Sequence, residues 1–167
     1  NKITGSIISA VDLVKGIGKC AGLDVINVDG ATGYLDTNYK GKVEAVLSSL
    51  TKHDFSMIHI EAPDETGHEG DVRKKIKAVE DLDEKVIYPL IKGLKEKFKE
   101  FKICIVSDHP TPIELRTHSY EYVPFMIYDS RKSINNHKET KFNEKNANQA
   151  NLKIDEGHTL LTTFLSD

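Results

Sequence analysis

Apolar positions along this chain recur in two ways, as stripes spaced three or four residues apart and as short unbroken runs, and the two alternate. Ile7 to Ala21 predicts a first helix, with Ile8, Val11, Leu13 or Val14, and Ile17 on one side and small residues Gly16, Gly18 and Gly22 at its close. Asp24 to Val28 reads as a short buried strand. The stretch Asp29 to Asn38 is rich in Gly, Asp, Asn and Thr, which is turn chemistry; its Gly30 and Gly33 fit neither phosphate-cradle nor dinucleotide spacing, so a connecting loop is expected. Lys42 to Leu50 predicts a helix with Val43, Val46, Leu47 and Leu50 inward, and Phe55 to Ile60 a strand. The longest helical pattern covers Asp71 to Lys99, through Val72, Ile76, Val79, Leu82, Val86 and Leu90, with Pro89 and Gly93 expected to break or kink it. The Lys-Glu alternation that follows, up to Lys102, is a solvated face. Ile103 to Val106 is a continuous apolar run, as expected of a strand covered on both faces in a parallel sheet. Val123 to Tyr128 is another strand, residues 129 to 157 a long polar loop, and Thr159 to Leu165 a last helix. Strands alternating with helices at this spacing predict an α/β sandwich with a largely parallel sheet, whose sites lie at the carboxyl ends of the strands.

Composition changes little in this picture. The 167 residues suffice for one domain with a proper core, and a formal net charge of −3 with Lys and Arg interleaved among Glu and Asp argues against a nucleic-acid surface. No run approaches the ~18 apolar residues of a membrane span, and no signal pattern opens the chain, so no membrane partner and a cytoplasmic location are expected. Cys20 and Cys104 have apolar neighbours and no Cys-x-x-Cys spacing, and read as buried thiols. The chain starts at Asn1 without an initiator Met, which suggests a fragment or a processed product.

Chemistry gathers where strands end. After Phe55 to Ile60 comes His59-Ile-Glu-Ala-Pro-Asp-Glu-Thr-Gly-His-Glu-Gly70, in which Asp64 and His68 stand four apart across a Pro and a Gly, so that backbone bends could aim both at one divalent ion. A capped loop leading into a helix explains the same residues. After Ile103 to Val106 come Asp108 and His109, then His118 within Arg116-Thr-His-Ser. If strands 55–60 and 102–106 are neighbours, Asp64, His68, Asp108, His109 and His118 converge. Five such ligands exceed one tetrahedral ion and suit a pair. Arg116 is placed to grip a phosphate or to orient a ligand. His59 reads as a satisfied strand histidine, His53 and His137 as exposed, and His158 has no assigned chemistry.

Asp64-Glu-Thr-Gly-His68, Asp108-His109-Pro-Thr-Pro, Arg116-Thr-His118 with Val123-Pro-Phe, and Ile8-Ser-Ala-Val-Asp-Leu-Val-Lys-Gly-Ile-Gly together resemble the C-terminal part of the cofactor-independent (2,3-bisphosphoglycerate-independent) phosphoglycerate mutases. The branch is the archaeal-type one, within the alkaline phosphatase superfamily. The resemblance spans about Ile7 to Phe164 and implies an incomplete three-layer α/β/α sandwich. It implies two divalent ions, manganese first with magnesium, zinc or cobalt as alternatives. Asp64, His68 and His118 would hold one, and Asp108 and His109 the other. It implies phosphoryl transfer between 3-phosphoglycerate and 2-phosphoglycerate through a phosphoserine, in glycolysis and gluconeogenesis. The family's nucleophilic Ser, its companion Asp and its inserted substrate domain match nothing in residues 1–167. Ser107 and Ser119 therefore read as structural, the second ion would lack part of its shell, and the piece by itself is expected to be inactive. Another phosphotransferase or phosphatase of the superfamily, and a non-catalytic metal-binding or assembly piece, are the competing expectations. Association into a homo-oligomer through exposed sheet edges is also expected.

Overall fold

The structure is a computed structural model that describes residues 3–132 and 141–166; His137 and part of the expected loop 129–157 lie outside the described residues. The chain divides into two compact units, Asn1–Lys97 with Thr111–His118, and Phe98–Pro110 with Ser119–Asp167.

The first unit is built on a parallel three-stranded sheet. Its centre is β1, Gly5–Ile8, flanked by β2, Asp24–Val25, and β3, Phe55–Ile58. This corrects the expected helix over Ile7 to Ala21: the helix, α1, is Asp12–Cys20, and Ile7 and Ile8 belong to the strand before it. Ile7 and Ile8 are fully buried, whereas Leu13 and Ile17 of the supposed apolar face are exposed. An apolar pair between serines is too short to show a period, so a helical period can be read through it. Gly18 lets α1 lie against the sheet, since a Cβ there would sit 2.6 Å from Ile7 Cγ2.

The next helix, α2, Tyr39–Ser49, starts at Asn38, whose Oδ1 accepts the Gly41 N–H at 2.9 Å. Its inner face carries the core: Tyr39 and Val43 pack with Val86, and Leu47, Ile58, Ile60, Leu82 and Leu90 close around them. Beyond β3 the chain enters α3, Ala62–Glu69, which ends at Gly70 with φ 72°. Asp71 then caps α4, Val72–Leu82, accepting from the Lys74 N–H at 3.0 Å. The long helical pattern is continuous through a π-helical turn, Asp83–Ile87, into α5, Tyr88–Lys97. The wider turn contains Lys85, four residues before Pro89, whose ring can neither donate to nor fit beneath a regular α-helical carbonyl there. Gly93 causes no break; it is buried, and a Cβ there would overlap Leu47.

In the second unit β4, Lys102–Val106, pairs antiparallel with β5, Phe125–Asp129, from Lys102 opposite Asp129 to Val106 opposite Phe125. The expectation of a parallel, doubly covered strand here is corrected, as is the pairing of 55–60 with 102–106: β3 pairs with β1, and β4 with β5. An unbroken apolar run reports burial, and burial does not encode strand direction. The polar stretch after β5 contains a one-turn helix, α6, Glu144–Ala147, and the chain ends in a 3-10 turn, Gly157–Thr159, and α7, Leu160–Leu165. Cys20 is exposed at the end of α1, contrary to expectation, while burial pushes the half-buried Cys104 thiol up. No helix of the described residues is long and apolar enough to cross a membrane.

Candidate metal centre

Asp64 and His68 both lie on α3, and the four-residue spacing alone puts them on one face. No backbone bend is needed, which corrects that part of the sequence argument. Pro63 falls in the first turn, where its missing N–H costs nothing. Gly67, one turn on, faces the segment Thr111–His118; a Cβ there would sit 2.6 Å from the Thr111 carbonyl oxygen and 2.8 Å from Lys75 Nζ. The absence of a side chain is what allows this segment to reach α3 and deliver His118.

His68 Nε2 lies 3.4 Å from Asp64 Oδ2, His118 Nε2 lies 3.4 Å from Asp64 Oδ1, and the two Nε2 atoms are 3.1 Å apart. One ligand atom from each residue falls within 4.8 Å of the others. The three side chains are partly exposed, so an ion and a small ligand could both reach them. A carboxylate oxygen with two imidazole nitrogens is a donor set suited to manganese, zinc or a similar divalent ion. Surrounding groups orient it. The Thr111 hydroxyl donates to Asp64 Oδ1. His68 Nδ1 lies 2.9 Å from the Arg116 carbonyl oxygen. A carbonyl only accepts, so Nδ1 carries a proton in this bond, and Nε2 is the ring atom that faces the cluster and would be offered to an ion.

Lys75, on α4, donates from Nζ to the Thr111 carbonyl at 3.1 Å. Burial lowers its pKa and the charge of Asp64 opposes that shift. Neither Thr111 nor Lys75 was singled out from sequence: Thr111 stands inside the Asp-His-Pro-Thr-Pro motif, but a hydroxyl carries no spacing signal.

Asp108 and His109 belong to the second unit, just past β4. Asp108 Oδ1 accepts the His109 backbone N–H at 3.1 Å, and its Oδ2 lies 3.4 Å from His109 Nε2. Ser107 and Ser119 are in that unit as well. Arg116 is exposed and its guanidinium lies over Gly70. The remaining histidines have other surroundings. His59 Nδ1 is 3.2 Å from the buried Ser9 hydroxyl. His53, expected to be exposed, is largely covered, with Nδ1 3.0 Å from Ser49 Oγ and Nε2 2.9 Å from Asp24 Oδ2. His158 is exposed, 3.5 Å from Glu156. A cavity of about 450 Å³ between β2 and the end of α2 is lined by Asp24, Ser49, Lys52 and His53 among others, and by none of the three candidate ligands.

Against known proteins, the chain is 49% identical over 151 residues to the 2,3-bisphosphoglycerate-independent phosphoglycerate mutase of Methanosarcina barkeri, covering 90% of this chain and 38% of that one. It is 46% identical over 164 residues to the enzyme of the same name from Methanothrix thermoacetophila, covering 98% and 41%. The chain thus spans about two fifths of the length of these relatives. A solved protein structure from Pyrococcus horikoshii superposes with a TM-score of 0.86 at 28% identity, over 98% of this chain and 48% of that one. The α/β architecture with its parallel three-stranded sheet is alkaline-phosphatase-like, as expected. Residues 1–156 match the family model described as the Metalloenzyme superfamily, and the chain belongs to that superfamily.

Proposed function

We propose that this chain is the C-terminal part of a metal-dependent phosphoglycerate mutase of the cytoplasm, acting in glycolysis and gluconeogenesis. Asp64, His68 and His118 hold one divalent ion, manganese first. Asp108 and His109 contribute to a second, and the nucleophilic Ser, with its companion Asp and the substrate domain, lies outside residues 1–167. The piece by itself is inactive and associates through its sheet edges. The observation that carries the reading is the meeting of one carboxylate and two imidazoles from segments some fifty residues apart, in a chain close in sequence to mutases.

Bound divalent ions would lower the pKa of a nucleophilic hydroxyl and offset charge on the transferring phosphoryl oxygens. The chain's own groups prepare for this. Asp64 brings the negative charge that a cation needs, Thr111 fixes which way its oxygens point, and Nδ1 protonation of His68 keeps Nε2 turned inward. In the full-length gene product, Asp64→Asn and His118→Ala should each lower conversion of 3-phosphoglycerate to 2-phosphoglycerate by more than the roughly ten- to hundredfold that loss of a ligand's hydrogen-bond partner costs, because they remove the ligand itself. Full-length protein that binds ions but turns over a different phosphate ester would move the reading to another phosphotransferase; protein that binds none would leave a non-catalytic piece.

A further inference from the structure

The turn that delivers His118 is closed by a residue in a conformation its side chain disfavours. Pro112 O accepts N–H groups from Leu115 at 3.1 Å and from Arg116 at 2.9 Å, and Arg116 then takes φ 54°. It is the one non-glycine residue with positive φ among the described residues. For a residue with a Cβ this conformation costs roughly 1–2 kcal/mol, and glycine would close the same turn without it. The strained backbone turns the Arg116 carbonyl toward His68, which donates to it from Nδ1. Meanwhile the Arg116 side chain reaches back over Gly70, the left-handed residue that ends α3, where a Cβ would overlap Nε and come within 2.9 Å of Cζ. A cation at the carboxyl end of a helix is favourably placed against its dipole. One residue therefore touches α3 at two points, the ring of His68 by its backbone and the helix end by its side chain.

We propose that Arg116 is a positioning residue: its guanidinium clamps the Thr111–His118 turn onto the end of α3, and so holds its own carbonyl where it fixes the tautomer and ring orientation of His68. This replaces a role in gripping phosphate. It rests on the reading of Asp64, His68 and His118 as ion ligands, and the test separates the two.

The test uses the chain labelled with 15N-histidine and freed of ions by a chelator, at a pH where imidazoles are neutral, together with Zn2+ titration against a chromophoric chelator. The variants are Arg116→Gly and Arg116→Asn, both of which tolerate positive φ. In the wild-type chain the His68 ring should show a single tautomer protonated at Nδ1. In both variants that tautomer should become mixed and Zn2+ affinity should fall about tenfold or more, while the thermal midpoint stays close to wild type because the turn itself is relieved of strain. An unchanged His68 spectrum in the variants overturns the inference, and so does unchanged Zn2+ affinity. A wild-type chain that binds no Zn2+ defeats the ligand reading, and the ring spectrum, recorded without ion, still decides the role of Arg116.

Discussion

A carboxylate serves best as an ion ligand when its orientation is held, and the Thr111 hydroxyl donates to Asp64 Oδ1. Thr111→Val keeps the shape of the buried side chain and removes that donor, so divalent-ion affinity should fall by about ten- to a hundredfold. Competition with a chelator of known affinity would measure it, and an unchanged affinity would mean that the hydroxyl is dispensable. A second residue-scale expectation concerns acid. Hydrogen bonds and charge from Arg131 hold the Asp129 carboxyl well below the usual carboxylate range. A carboxyl depressed in the folded state contributes stability that is fully present above its unfolded pKa of about 3.9 and is lost as pH falls toward the folded value. The stability gap between wild type and Asp129→Asn should therefore be constant from neutral pH down to about pH 5 and then shrink, as read by urea unfolding at each pH.

At the scale of elements, the approach of α3 to the segment Thr111–His118 depends on Gly67. Gly67→Ala sets a methyl against a backbone carbonyl, which cannot swing aside like the end of a side chain. Overpacking of this kind costs typically 1–3 kcal/mol. Both the unfolding free energy and ion affinity should drop, because the displaced segment carries His118. Much of this layer was legible beforehand. Asp64 and His68 are four apart, but the adjoining Pro63 and Gly67 read as bends, and only the observed α3 turns that spacing into a shared face. The helix over Tyr39–Ser49 and the long pattern from Val72 to Lys97 declared themselves through many repeats of one period. By contrast β1 offers only Ile7 and Ile8 between serines, and its membership of the sheet is settled by partners at Asp24–Val25 and Phe55–Ile58 that no local window contains. The direction of β4 was illegible for the same reason, since its antiparallel partner begins at Phe125.

For the molecule as a whole, the proposed ion binding would be linked to folding. A divalent ion that binds the folded chain and not the unfolded one stabilises it by about 2.7 kcal/mol at a hundred times its Kd. Addition of Mn2+ or Zn2+ should accordingly raise the thermal midpoint by several degrees, and a chelator should reverse the rise. Asp64→Asn should abolish the response, whereas Cys20→Ser should leave it intact, because that thiol is exposed at the C-terminal end of α1 and is none of the candidate ligands. A midpoint indifferent to every ion would count against the metal centre.

The sequence by itself determined the longer helices, the strands near Asp24, Phe55, Ile103 and Phe125, the residue types of the candidate ligands and, through the motifs around Asp64, Asp108 and His118, the family. Each of these depends on residue type and short spacing, which survive in one dimension. Only the tertiary structure decided that His118 meets α3, that Thr111 and the Arg116 carbonyl bond to Asp64 and His68, and that β4 runs antiparallel to β5. Those are contacts between residues some fifty or twenty positions apart, selected by packing at places such as Gly67 where a backbone needs room, and packing has no signature along the chain.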